Sequence, residues 1–592
     1  MSGRRSADRQ KLLSALQTLS SPQSSQEEQM KSLGKLFHIH LDTLEDCLLQ
    51  VSHVCITHTQ PEIQQQLVVF LMWLAGRSLY VALRLSWIVD SVSDFFARSG
   101  MDSQVKRIQD RVETCAINQD ATLPPQWSKD ASPNAGDASK GGEETDVNAV
   151  LRKEQRVKLF NDVRSFVKFL TDLSDQLRYF PDRPKRKLEL RKRLDEVNEL
   201  LPGFRLMHPL GKSTDPVRWI VRIAVEECTV FSSRERAPFL IRYEVIVDST
   251  TTMKDPTKST LRNVDGTFRV SSTSEEVFQL RTEEELKAEG DGEANPIDNE
   301  FIEKAFGESA EERLKRLRVK SPWGAHPNWS ISSMIIKAGD DLRQEELALQ
   351  LISVFDSIWQ EAGLTVQTYP YIALPTNYDS GLLEVVEESN SMDGIKKACN
   401  VATIDTFYSS AFGSSPDTFS NAQRNFTESV AAYSVISYLL QIKDRHNGNL
   451  MITREGRLVH IDFGFLFTTS PGGINFESAP FKLSQELIEV MGGTGGDMFA
   501  YFKVLIYQAL EVARERSEEL LALVALMIPF NSMPCFGSDP PAALSQLKNR
   551  FRYDLYSGTD YALYAKDLIS NSADNWRTRR YDQFQTFQNG IL

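Results

Sequence analysis

The sequence contains no Cys-x-x-Cys pair and no His-rich spacing. Its six cysteines (Cys47, Cys55, Cys115, Cys228, Cys399 and Cys535) are scattered, which excludes a disulfide framework or a zinc site as the organising element and fits reduced thiols. It also lacks an excess of cations: 67 Lys+Arg stand against 80 Asp+Glu, a formal charge of -13. That balance argues against a general nucleic-acid binder, so any basic surface has to be local. An apolar leader is missing too. Met-Ser-Gly-Arg-Arg opens the chain, and Ser2 stands where N-myristoylation requires glycine, so a cytoplasmic protein is expected. Long hydrophobic runs are nearly absent. The one stretch to weigh, Leu67 to Val89, is interrupted by Arg77 and Arg84, and each central arginine costs about 2.5 to 3.5 kcal/mol on the insertion scale. A buried helix, with both arginines on one wet edge, is the expectation there.

What is present is ordinary globular material, with 41% hydrophobic and 25% charged residues over 592 positions, enough for at least two cores. Residues 1–116 carry apolar residues at helical spacing (Leu41, Leu44, Leu48, Val51, Val54), broken by Thr-Gln-Pro at 59–61, and predict an all-α domain. Residues 117–149 turn to Pro, Gly, Ser, Asp and Lys and read as a disordered linker. A helical segment follows at 150–202, with the stripe Phe160, Val163, Phe166, Phe169, Leu170 and then a basic run from Arg183 to Arg193. The run is either a solvated helix face or a patch for anionic lipid. From residue 203 the texture becomes β-rich, at Ile220–Val225 and Phe239–Val247. An acidic insertion is expected at about 250–312, because Glu283 to Glu303 holds many acids and one lysine, Lys287.

The chemistry is concentrated between residues 435 and 466. An apolar helix end leads into Asp444-Arg-His-Asn-Gly-Asn449, then two β-runs around Glu455-Gly456, then Asp462-Phe-Gly464. Phosphoryl transfer from a nucleotide needs a base near the acceptor hydroxyl and oxygen ligands for a divalent cation, all on a rigid support. The hairpin can fold Asp462 back beside Asp444 and Asn449. Upstream, the β-run Ile331–Ile336 leads into Lys337, and Glu345 on the following amphipathic helix is its candidate partner. Ser321-Pro-Trp-Gly324 forms a turn before that strand, which could cover phosphates with backbone N–H groups.

Taken together, Lys337-Ala-Gly-Asp-Asp-Leu-Arg-Gln-Glu345, Asp-Arg-His-Asn-Gly-Asn and His460-Ile-Asp-Phe-Gly resemble the phosphatidylinositol 3/4-kinase superfamily, and within it the type III beta phosphatidylinositol 4-kinases; the Asp-Arg-His order differs from that of ordinary protein kinases. The runs Ala237-Pro-Phe-Leu-Ile, Phe481-Lys-Leu and Val490-Met-Gly-Gly support it, and the likeness is expected over residues 203–592. The resemblance implies an α+β bilobal kinase, with an N-lobe over 203–360 and a hinge and helical C-lobe over 361–592. It implies ATP with Mg²⁺, or Mn²⁺ in its place. Lys337 would touch the phosphates, Tyr371 would stand behind the Lys337–Glu345 pair, and Glu384 to Val386 would form the hinge against adenine. Ser321, Gly324 and Ile461 complete the nucleotide set. Asn449 and Asp462 would hold the metal, His446 would take the proton of the inositol hydroxyl, and Asp444 would support the loop. A Rab-type small GTPase, a Golgi adaptor and a peripheral Golgi address are implied as well.

Between Phe465 and Phe481 there is no Lys or Arg and one acid, Glu477, so this loop offers no cation to a phosphate already on the inositol ring. Unphosphorylated phosphatidylinositol is therefore expected as substrate. The residues leave the 3- and 4-hydroxyl open, and the resemblance selects the 4-position; a phosphatidylinositol 3-kinase, a related protein kinase and a pseudokinase scaffold are the rivals. Peripheral membrane attachment is expected from Trp576, Tyr581, Phe584, Phe587 and Ile591 beside Arg577, Arg579 and Arg580.

Overall fold

The computed structural model describes residues 2–98, 102–118, 147–231, 235–263, 265–282, 285–286, 300–473 and 478–592. Of the expected linker at 117–149, residues 119–146 lie outside the described residues, whereas 117–118 and 147–149 belong to helices rather than to a linker; most of the acidic stretch, with Glu477, also lies outside the described residues.

Seven helices open the chain: α1 (Ser2–Ser20), α2 (Gln26–Leu36), α3 (Leu41–Asp46), α4 (Leu48–Thr57), α5 (Pro61–Arg77), α6 (Leu79–Arg98) and α7 (Asp102–Asn118). The apolar stretch 67–89 is two helices rather than one. Ser78 adopts an extended conformation (φ -149°, ψ 126°) between them, and the next amide, that of Leu79, bonds to Lys254 O at 2.9 Å. Arg77 and Arg84 therefore do not share a helix face: Arg77 lies over the Trp73 ring at 4.9 Å, and Arg84 donates to Glu346 at 3.0 Å. Among the described residues, no helix is long and apolar enough to cross a membrane.

Two further helices, α8 (Val147–Leu177) and α9 (Arg183–Leu200), bury the expected stripe, Phe160, Val163, Phe166 and Leu170. Part of the basic run on α9 is structural. Arg183 Nε donates to Val230 O at 2.9 Å, Arg186 Nε to Phe180 O at 3.0 Å, and Arg191 Nη2 to Glu226 O at 2.9 Å.

The β-region is a six-stranded antiparallel sheet of order β1-β3-β4-β6-β5, with β2 on β3. Its strands are β1 (Pro216–Ile223), β2 (Thr229–Val230), β3 (Phe239–Thr252), β4 (Trp329–Ala338), β5 (Ala373–Asn377) and β6 (Ser380–Glu384). Between β3 and β4 come α10 (Glu300–Phe306) and α11 (Ala310–Lys320), and α12 (Arg343–Glu361) follows β4. On β4, Met334, Ile336 and Ala338 are buried on one face, so the period-two alternation turns Ile335 and Lys337 to the other.

The second lobe is mainly helical. It holds β7 (Ser389–Ser391), α13 (Met392–Cys399), α14 (Ile404–Phe412), α15 (Pro416–Leu440), β8 (Leu450–Thr453), β9 (Leu458–His460), α16 (Gln485–Val490), α17 (Asp497–Glu515), α18 (Ser517–Leu526), α19 (Pro540–Arg550), α20 (Gly558–Ser572) and α21 (Trp576–Asn589). The three short strands form their own sheet, β7-β8-β9. This is the expected all-α layer followed by a two-lobed α+β domain.

Two secondary connections bridge the lobes. The α1 layer reaches the second lobe through Arg9 Nη1 to Glu519 Oε1 at 2.6 Å. The α10–α11 pair spans the hinge: Asn390 Nδ2 and Arg454 Nη2 donate to Ala305 O and Gly307 O at 2.7 and 2.6 Å, while Arg316 pairs with Glu227 at 3.0 Å on the sheet side. Residues 300–320, expected in part as a solvated acidic insertion, are thus docked helices.

Candidate active site

Three elements meet at the cleft between the lobes: the C-terminal end of β4, the start of α12 and the loops flanking the β8–β9 hairpin. Lys337 Nζ lies 3.6 Å from Glu345 Oε2 and 3.9 Å from Asp340 Oδ2. Tyr371 donates its hydroxyl proton to Glu345 Oε1 and accepts the Asp462 N–H at 3.2 Å. The strand lysine, the helix glutamate and Asp-Phe-Gly therefore form one connected network, with Phe463 stacked beside Tyr371 at 6.3 Å. Burial opposes the charge on Lys337, but the Glu345, Asp462 and Asp340 carboxylates outweigh it and hold its pKa above the ordinary lysine value. Asp462 is likewise buried, and Lys337 and Arg445 overcome that burial to keep its pKa below the usual carboxylate range. Both groups stay charged at neutral pH, as a phosphate and cation site requires.

The loop from Lys443 to Asn449 is held by Arg445, which donates to Lys443 O at 3.0 Å, to Ile461 O at 2.7 Å and to Asp462 O. Asp444 and Asp462 both adopt positive φ, 63° and 61°. Such strain in non-glycine residues persists only where surrounding bonds fix it. Asn449 Nδ2 donates to Asp444 O at 3.0 Å, which commits the amide nitrogen and leaves Oδ1 as the oxygen for a cation. Ile461, expected in the nucleotide set, donates its N–H to Asn449 O at 3.1 Å and so braces the same loop.

Among the described residues no group of three or more His, Cys, Asp or Glu side chains could hold a metal ion. One amide oxygen and one ionised carboxylate fit Mg²⁺, which keeps waters and takes its remaining oxygens from phosphates.

His446 accepts the Gly448 N–H on Nδ1 at 3.1 Å. The neutral tautomer matching that bond, an assignment made from the hydrogen-bond geometry, carries its proton on Nε2. Nε2 points towards Asp444 Oδ1, 3.8 Å away. The ring is therefore a donor on that side, and the expected role of His446 as proton acceptor requires loss of the Gly448 bond. Burial holds the His446 pKa below the ordinary value despite Asp444.

Ser321 and Gly324 do not cover this cleft. Their turn precedes Trp329, which pairs with Ile246 at the far end of β4 from Lys337, and at about 3.3 Å per residue that is on the order of 25 Å along the strand. Ser321 Oγ bonds the buried Glu244, which also receives Trp329 Nε1 at 2.9 Å. A Cβ on Gly324 would lie 1.8 Å from Arg318 O, so this glycine serves close packing of the turn.

The segment beside Lys337 is the β2–β3 connection. Phe239 pairs with Ile336, and Arg236 Nη1 lies 2.8 Å from Asp340; residues 232–234 of this connection lie outside the described residues. The polar run Phe231 to Pro238 between two β-runs was the available signal. At the hinge, the Glu384 N–H and carboxylate are both committed to Ile372, at 2.8 and 2.9 Å, and the Val386 carbonyl accepts from Ser389 Oγ at 2.6 Å.

A strand lysine ion-paired to a helix glutamate, an Asp/Asn loop and Asp-Phe-Gly, set between a sheet lobe and a helical lobe, define a kinase domain. Residues 331–536 match the family described as phosphatidylinositol 3- and 4-kinase, so the chain carries a domain of that lipid-kinase family. It is 45% identical over 288 residues to "Phosphatidylinositol 4-kinase" of Dictyostelium discoideum, covering 48% of this chain and 24% of that protein. With "Phosphatidylinositol 4-kinase beta 1" of Arabidopsis thaliana it shares 44% over 291 residues (48% and 26%), and with "Phosphatidylinositol 4-kinase beta" of Sorex araneus 38% over 288 residues (49% and 36%). The aligned part thus spans about a quarter to a third of these relatives, and about half of this chain, less than the expected 203–592.

Proposed function

We propose that this chain transfers the γ-phosphate of ATP to the 4-hydroxyl of phosphatidylinositol, acting peripherally on a membrane. The observation that carries the reading is the connected network Lys337–Glu345–Tyr371–Asp462, joined through Arg445 to the Asp444–Asn449 loop, in a domain of this family. Lys337 contacts the phosphates, and Glu345 and Tyr371 hold it in place. With the Glu384 N–H and the Val386 carbonyl committed, the Val386 N–H is the hinge donor for adenine. Asn449 Oδ1 and Asp462 would hold Mg²⁺, with Mn²⁺ as the alternative. Bound there, a divalent cation would supply positive charge to offset what develops on the phosphates in transfer. Asp444 takes the proton of the acceptor hydroxyl, and His446, protonated on Nε2, steadies the carboxylate.

Membrane contact is supported by α21. Trp576, Phe584 and Phe587 are exposed by 57%, 54% and 93%, whereas Tyr581, expected among them, is buried. The resemblance extends the proposal to a Golgi address and to a Rab-type GTPase and a Golgi adaptor as partners.

Labelled ATP and Mg²⁺ with vesicles of phosphatidylinositol or its 4-phosphate test the reading. Phosphatidylinositol 4-phosphate, made only from the unphosphorylated lipid, is expected. A 3-phosphate product would move the chain to the 3-kinases, and no lipid product would favour a scaffold.

A further inference from the structure

The roles above leave unused a buried cation that contacts the catalytic loop. Lys482 is the first lysine or arginine after Asp-Phe-Gly, and its side chain is only 4% exposed. Nζ lies 2.7 Å from Asp582 Oδ1 on α21 and 3.1 Å from Asn447 Oδ1 in the catalytic loop. Asp582 follows Tyr581, whose hydroxyl donates to Asp444 Oδ1 and accepts from Gln585 Nε2 at 2.8 Å. Two consecutive residues of one helix thus satisfy the two charged groups on the acceptor side of the site. A hydroxyl sits on the carboxylate and an anion sits on the ammonium.

A phosphatidylinositol headgroup presents the same two groups in one molecule: a ring hydroxyl to be phosphorylated and, across the ring, a phosphodiester anion. We propose that Lys482 binds the phosphodiester of the acceptor lipid, and that Tyr581 and Asp582 occupy this subsite as a mimic of the headgroup until the lipid displaces them. The proposal rests on the lipid-kinase reading and names the acceptor-binding group of that site. A compact ammonium suits a phosphodiester oxygen. Leaving a buried charge unpaired is strongly unfavourable, so the lipid diester would have to replace the Asp582 carboxylate on the ammonium rather than merely displace it.

The test uses the full chain with phosphatidylinositol in phosphatidylcholine vesicles, measuring initial rates against lipid fraction and against ATP. Lys482→Met is expected to raise the lipid KM about ten- to a hundredfold, the loss of one charge-assisted hydrogen bond, with little change in the ATP KM. Asp582→Asn is expected to lower the lipid KM several-fold. Soluble glycerophosphoinositol, which carries the diester, should inhibit the wild type better than myo-inositol, and Lys482→Met should lose that preference. An unchanged lipid KM in Lys482→Met, or a raised ATP KM of the same size, would each overturn the assignment. If Lys482→Met does not fold, Asp582→Asn decides, since an unchanged or raised lipid KM in it overturns the mimic. Absence of any lipid product from the wild type would instead remove the lipid-kinase reading itself.

Discussion

Arg84 on α6 donates to Glu346 across 3.0 Å, one residue beyond the glutamate that pairs with Lys337. One turn further along α12, Gln350 exchanges amide bonds with Gln50 of α4 at 2.7 and 2.8 Å. The N-terminal helices thus grip the back of the helix that carries Glu345, around a cavity of about 660 Å³ also lined by Tyr371. Removing one partner of a buried ion pair costs about 3 to 5 kcal/mol. We expect Arg84→Met to lower the denaturation midpoint and raise the ATP KM, and Arg84→Met with Glu346→Met to recover much of the stability. An unaltered ATP KM in a folded Arg84→Met protein would separate this contact from the nucleotide site.

Asp462→Ala should abolish transfer while leaving the helical circular dichroism and melting profile close to wild type; normal turnover would sink the metal assignment. Asp444→Asn should lose at least about a hundredfold in kcat, the scale of a group acting on the transferred proton, and His446→Ala, which removes only the ring that steadies that carboxylate, should lose less. The tautomer described above also predicts the ranking. Asp444→Asn should cost more than His446→Gln, and the reverse order would return the base role to His446.

Gly324→Ala distinguishes the two readings of its turn. The Cβ would meet a backbone oxygen at 1.8 Å, so the fold should lose a few kcal/mol, about 2 to 4 by analogy with overpacked sites, while the ATP KM of the folded fraction stays the same. A raised ATP KM without loss of stability would put the turn back over the phosphates.

Acid should weaken the molecule through its buried histidines. Burial pushes His53 down to about 4, although Pro529 O accepts its Nε2 proton, and burial drives His460, stacked on Tyr433, far below its ordinary value. A histidine with a depressed folded-state pKa binds fewer protons than the unfolded chain. Its contribution is therefore intact above pH 6.5 and is lost as the pH falls towards 4, to on the order of 3 kcal/mol for His53. Urea midpoints should be flat from pH 8 to 7 and drop below 6.5, and His53→Gln should flatten that drop. A midpoint insensitive to pH between 6.5 and 5 would refute it.

The sequence was most legible where chemistry is local in the chain. Asp444, Asn449 and Asp462 span one helix end and one hairpin, and Lys337 and Glu345 one strand–helix turn, so spacing alone brings each set together. Register was not legible. A turn preceding a strand and a turn joining the two strands beside it look alike in composition, and only the antiparallel pairing of β3 with β4 sets the start of β3, with Arg236, rather than Ser321–Gly324, beside Lys337. The periodicity of Leu67–Val89 continues across two helices because the break at Ser78 changes the chain direction without changing the burial of either side. Tyr581 read as one of several outward aromatics; its partner, Asp444, is 137 residues away, beyond any local pattern.

The hinge is not the only place where the two lobes are joined. Arg9 of the α1 layer pairs with Glu519 of the second lobe, and the α10–α11 pair bonds the second lobe through Ala305 and Gly307 and the sheet side through Arg316. Swinging the lobes apart as rigid bodies would have to break these bonds as well as bend the hinge.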